Sequence, residues 1–270
     1  MALSPGEALA AAITKAVTVQ VYQVCDDAGN NCASTGPAGN AYFSAETNRI
    51  WSQAGIAIAF DFVAQINSTA FSYLDDNVAG DRFADLAAAY GTMGPSSTTI
   101  DMFLVREVAG SFYGQGWFGM GGLVISMDTV MSFNGGLGRV DTIAHELGHN
   151  FGLVPIELGG DAGRHSSLDN YLMARGEIRL VPMTLADIAP DGLSLDMIPQ
   201  IQADFALQSS LLSDVPEPMS LALVGTGLLG LVMVRRRGGR GAGNRWCQSV
   251  RRDKPAEEKP RHRRRGPVCG

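Results

Sequence analysis

The chain has 270 residues, 46% of them hydrophobic and 18% charged, with 33 Gly and 4 Cys. That length and apolar content exclude a wholly disordered chain and suit one sizeable domain or two small ones. The formal charge of -6 conceals two opposite parts: residues 1–218 hold 8 Lys+Arg against 24 Asp+Glu and residues 219–270 hold 13 against 3, so the long acidic part excludes nucleic acid and anionic lipid as its partners.

Residues 1–16 are expected to be the remnant of a signal region whose start lies upstream. Ala8-Leu9-Ala10 has the small-x-small form of a cleavage site, and no Lys or Arg occurs before residue 13. The alternating, β-branched run VTVQVYQV at 17–24 predicts a strand. Cys25 and Cys32 then bracket the polar loop DDAGNN, which is long enough to close a disulfide in an oxidising compartment; two such ligands without partners make no zinc ribbon. A helix is expected over 41–53, with Phe43, Ile50 and Trp51 on one apolar face, and a strand over 56–62. A short helix over 81–90 and strands over 99–108 and 122–127 follow. Between those strands, SFYGQGWFGMGG reads as a mobile loop at a cleft edge or as a wide hairpin. The order of elements predicts layered helices and sheet.

The next segment, RVDTIAHELGHNFG at 139–152, carries the chemistry. His145, Glu146 and His149 form H-E-x-x-H, and on a helix positions i and i+4 share one face, so both imidazoles can grip one zinc ion. With 4 His and 9 Glu in the chain, chance would produce this pattern only about 0.002 times. Zinc with three protein ligands keeps an open position and lowers the pKa of a bound water, and Glu146 is placed to act as general base.

The string HELGHNFGL resembles the metzincin metallopeptidases. In that family the helix stops at the glycine corresponding to Gly152, and a third His follows three residues later. Here that position is Pro155, which has no ligating group. The third ligand is therefore expected from the glycine-rich insertion that follows: His165 first, with Asp161 or Glu157 as oxygen substitutes. Met173, in LDNYLMARG, resembles the metzincin Met-turn, which places a methionine beneath the metal site. Tyr171 receives no catalytic role, and Asn150 and Asp141 are expected to be helix-surface or capping groups. The resemblance implies an α+β fold with a mixed twisted sheet, a back helix, an active-site helix, and a smaller C-terminal subdomain closed by a helix at 199–212. Domain limits of 17–214 follow.

At 215–237 stand Pro216-Glu217-Pro218, a mostly apolar span at 219–234 and Arg235-Arg236-Arg237. As a helix the span would be roughly 24 Å long, a little short of a bilayer core but able to insert, with the arginines on the cytoplasmic side. These three ordered parts resemble the PEP-CTERM sorting signal of Gram-negative bacteria. That resemblance implies a secreted or cell-surface protein, held transiently in the inner membrane and processed by an exosortase. The basic segment 238–270 extends beyond the family pattern and reads as a disordered tail. Together the two resemblances imply a secreted zinc endopeptidase acting on protein or peptide, with zinc as its cofactor and strand 122–127 as the edge where substrate pairs. The alternative is a degenerate zinc-site module that binds matrix or cell-surface material without cleaving it.

Overall fold

In the computed structural model, β1 (Lys15–Cys25) runs through the middle of the main sheet, because its valines at 17, 19, 21 and 24 are all buried. The strand takes in Lys15 and Ala16, which therefore belong to the domain rather than to a signal remnant. The structure describes residues 12–80, 82–91, 98–154, 164–188 and 200–215. The chain divides into two units, Met1–Glu217 and Pro218–Gly270, and all described residues belong to the first. Pro155, Glu157, Asp161, the span at 219–234 and the tail at 238–270 lie outside the described residues. Among the described residues, no helix is long and apolar enough to cross a membrane.

After β1 come α1 (Ser44–Ser52), β2 (Ile56–Asn67), α2 (Thr69–Ser72), β3 (Tyr73–Leu74), α3 (Phe83–Tyr90), β4 (Thr99–Val105), β5 (Glu107–Val108), β6 (Gly114–Gly116), β7 (Gly122–Ser126), α4 (Met127–Ser132), α5 (Thr142–Asn150), α6 (Gln200–Ala206) and β8 (Ser213–Asp214). The main sheet has the order β2-β1-β4-β7-β6, with β8 also paired to β1; β3 and β5 form a second, two-stranded sheet. β2, β1, β4 and β7 are mutually parallel, whereas β6 runs antiparallel to β7 and β8 antiparallel to β1. The architecture is mixed α+β.

Both faces of the central strands are covered, as parallel strands require. Ile100, Met102 and Leu104 of β4 pack in one cluster with Ile50 and Trp51 of α1 and Ile143 and Leu147 of α5. Phe103 and Val105 join the other cluster, with Phe83 and Leu86 of α3. Trp51 fastens α1 to α5, donating from Nε1 to Ala144 O at 3.2 Å and meeting Phe151 edge-on at 4.8 Å. A disulfide joins Cys25 to Cys32.

Several boundaries differ from the sequence expectation, four of them for a clear local reason. The first helix starts at Ser44 because Tyr42 and Phe43 have positive φ. The second strand runs on to Asn67, since β1 continues to pair with it past a register shift at Val21/Tyr22. The strand expected over 99–108 breaks at Arg106, beyond which Val108 pairs with β3 instead. The closing helix is shorter than 199–212: it spans Gln200–Ala206, and Leu211 and Leu212 are buried in the turn that follows. Strand 122–127 is not an edge. β7 lies between β4 and β6, so among the described residues the outermost strand on that side is β6.

Candidate metal and catalytic site

All nine residues of α5 are buried, held between the sheet and the segment that follows. The helix ends in a Schellman motif: Leu153 N donates to Gly148 O at 2.9 Å and Gly152 N to His149 O at 3.0 Å, with Gly152 at φ 80°. That turn matches the expected stop at Gly152.

The chain then returns to the helix through a short pairing. Ser166 N donates to Met173 O at 2.7 Å, and Ser166 bridges Ala174. His165, one residue earlier, is thereby placed against His145 and His149. One ligand atom from each of the three rings lies within 4.8 Å of the others, a set able to hold a metal ion. Met173 is fully buried beside Gly148, where an added Cβ would come within 2.3 Å of its sulfur. A side chain at Gly148 would therefore displace the Met173 thioether from its place against the helix.

The donor chemistry fits a divalent metal. Nδ1 of His145 lies 2.7 Å from Leu172 O, a carbonyl that can only accept; in the tautomer with the proton on Nδ1, Nε2 keeps its lone pair for a metal. Arg179 Nη1 lies against the same ring nitrogen. Burial, then the charge of Arg179, pushes His145 well below its usual range; burial, then His165, takes His149 down to about 3. Neutral imidazoles are what a metal binds. Burial pushes Glu146 the other way, up to about 7, against the pull of Arg179 and a hydrogen bond from the backbone of Gly116.

β6 sits directly on α5. A Cβ at Gly116 would lie 2.5 Å from Glu146 O, and one at Gly114 would lie 2.9 Å from Glu146 Cγ. Glycine at both alternate positions lets the edge strand reach the carboxylate. Asn150 secures the turn between β6 and β7, its Nδ2 lying 2.7 Å from Gly122 O, 2.7 Å from Met120 O and 3.0 Å from Trp117 O.

Asn150 is thus no surface group, and neither is Asp141, which is fully buried. Asp141 accepts from Arg179 Nε at 2.6 Å and faces Arg139 Nε at 3.6 Å. These two arginines, with Arg175, were not singled out in the sequence. The available signal was their clustering in a part of the chain that holds few other basic residues. They line a cavity of about 620 Å³ together with His145, Glu146 and His165.

The PEP-CTERM protein-sorting motif matches residues 214–237. No curated protein matches the chain. The motif marks a protein sorted through an exosortase, secreted or displayed at the surface of a Gram-negative bacterium.

Proposed function

We propose that the domain is a zinc-dependent endopeptidase of metzincin type, exported under its exosortase signal. The observation that carries this reading is the meeting of His145, His149 and His165, of which His145 and His165 line one cavity together with Glu146. Zinc bound by three neutral imidazoles supplies Lewis acidity toward a water and a scissile carbonyl. Glu146, buried and poised near neutrality, takes a proton from the attacking water and returns it to the leaving amine. The outer side of β6, the last strand of the sheet among the described residues, offers backbone groups to an extended peptide laid along the cavity. The alternative, a non-cleaving module, has the missing histidine at position 155 as its chief support, and the position of His165 beside the pair weighs against it.

The test is elemental analysis and cleavage of an unfolded protein substrate by the purified full chain. About one zinc per chain is expected, lost in His165→Ala. Glu146→Gln is expected to keep the metal while cleavage falls about 10²- to 10⁴-fold. A parent protein without zinc, or unchanged cleavage in Glu146→Gln, would sink the peptidase reading.

A further inference from the structure

The cavity lined by His145, Glu146 and His165 is also lined by three aromatic rings, those of Phe112, Tyr113 and Phe133. Its two buried arginines are already engaged. Arg179 donates to Asp141 at 2.6 Å, to Ala174 O at 3.0 Å and to Leu172 O at 3.2 Å. Arg139 donates to Gly176 O at 2.9 Å, and its guanidinium stands 4.5 Å from the Tyr113 ring and 5.4 Å from the Phe133 ring. Both arginines are buried, so they shape the lining and are turned toward the protein. Tyr113 and Phe133 meet edge to face at 6.0 Å and 81°, which fixes them as one apolar surface.

Phe112 is placed differently. At 63% it is the most exposed large apolar side chain among the described residues. The backbone holds it there: in the turn between β5 and β6, Gly110 has φ 81° and Ser111 φ 58°. The left-handed region costs a serine free energy, and such strain persists only where the surrounding structure enforces it. The ring lies back on this turn, since a Cβ at Gly110 would come within 2.9 Å of it. A strained turn that carries a phenyl ring to a cavity and leaves it in water contributes nothing to the stability of the free domain. The ring becomes favourable when a second apolar group covers it, and the cavity it lines is the one that leads to the histidines and the carboxylate. A volume of about 620 Å³ accepts the largest natural side chains together with adjoining backbone.

We propose that this cavity takes a large apolar side chain, aromatic before aliphatic, from the substrate residue next to the scissile bond, and that Phe112 selects it by packing on its face. The inference rests on the peptidase reading. Because partial unfolding of a variant would lower the apparent kcat and leave KM alone, the readouts are a ratio of substrates and KM.

The experiment uses the zinc-loaded full chain and a peptide series that places Phe, Tyr, Leu, Ala, Asp or Lys in turn at each position around the cleavage point. Phe or Tyr should exceed Ala at least tenfold in kcat/KM at one position, with Leu between them. In Phe112→Ala that ratio should fall several-fold, with KM for the Phe peptide rising, while Phe112→Tyr should keep most of it. Zinc content and thermal midpoint, measured alongside, check that the exposed substitution leaves the fold in place. Should Phe112→Ala fail to fold, Phe112→Leu keeps an apolar side chain and should lose the preference for Phe over Leu. Cleavage that favours small or charged side chains at every position, or ratios untouched in these variants, overturns the apolar seat alone. No cleavage of any peptide overturns the peptidase reading, and this inference with it.

Discussion

His145 and His149 carry an acid sensitivity that can be read in the metal-free protein. Both are held below the ordinary 6.5, His149 at about 3, so between those values the unfolded chain takes up protons that the fold refuses. Their contribution to stability is full above pH 6.5 and is lost as pH falls toward 3. Glu146 has the opposite sign: its folded value of about 7 exceeds 4.5, so its contribution is full below 4.5 and lost as pH rises through 7. Two histidines outweigh one carboxyl. Urea unfolding of the chelator-treated chain should show a midpoint that falls on acidification below pH 6.5, and Glu146→Gln should steepen that fall between 6.5 and 4.5. A midpoint flat from pH 7 to 4.5 would contradict the burial of these groups. At this scale the i, i+4 spacing made His145, Glu146 and His149 legible, and counting the remaining histidines pointed to His165. The Asp141–Arg179 pair was hidden because it joins residues 38 apart, for which a sequence carries no local period.

Glycine spacing decides how β6 meets α5. A Cβ at Gly116 would press on the Glu146 carbonyl at 2.5 Å, backbone against backbone, with no flexible end to give way. Gly116→Ala should therefore cost about 1–3 kcal/mol and lower the thermal midpoint by several degrees, with cleavage falling further than the melt alone explains because the edge strand is pushed off the carboxylate. Removing the Cys25–Cys32 crosslink, which closes a short loop at the end of β1, should cost about 2–3 kcal/mol by loop-closure entropy, readable as a lower denaturation midpoint in Cys25→Ser/Cys32→Ser. A shift below a few tenths would mean that the crosslink contributes little. The long strands were legible because β-branched residues alternate in them. β6 was left between a loop and a hairpin because Gly-Gln-Gly has neither β-propensity nor an apolar period, and its strand character comes from pairing with β7. Strand 122–127 was mistaken for the edge for the same reason: with β6 unread, β7 looked outermost.

The acidic domain and the basic C-terminal region are two units in both charge and contacts. The sorting motif at 214–237 was fully legible, since it depends on the order of residue types rather than on a fold. Replacing Pro216-Glu217-Pro218 by alanines should block exosortase processing in a host that has the enzyme, so that intact mass shows retained tail residues and fractionation places the chain with the membrane. Normal processing of that variant would break the link between motif and sorting. The three-dimensional closure of the domain was less legible, because it depends on β8, a pair of residues with no strand signal of their own.

β8 determines where a tethered chain would feel a pull. Ser213 and Asp214 pair with Ala16 and Lys15, Asp214 meets the Lys15 ammonium at 2.7 Å, and Val215 N donates to Thr14 O at 3.0 Å, one residue before the first proline of the motif. Were the C-terminal segment anchored, tension along it would enter the fold at this seam on β1. The histidine helix packs instead on β6, β7 and α1. Drag on an anchored molecule would thus strain the start of β1 before it reached the histidines, and release from the anchor would leave the domain with its last residues already fastened down.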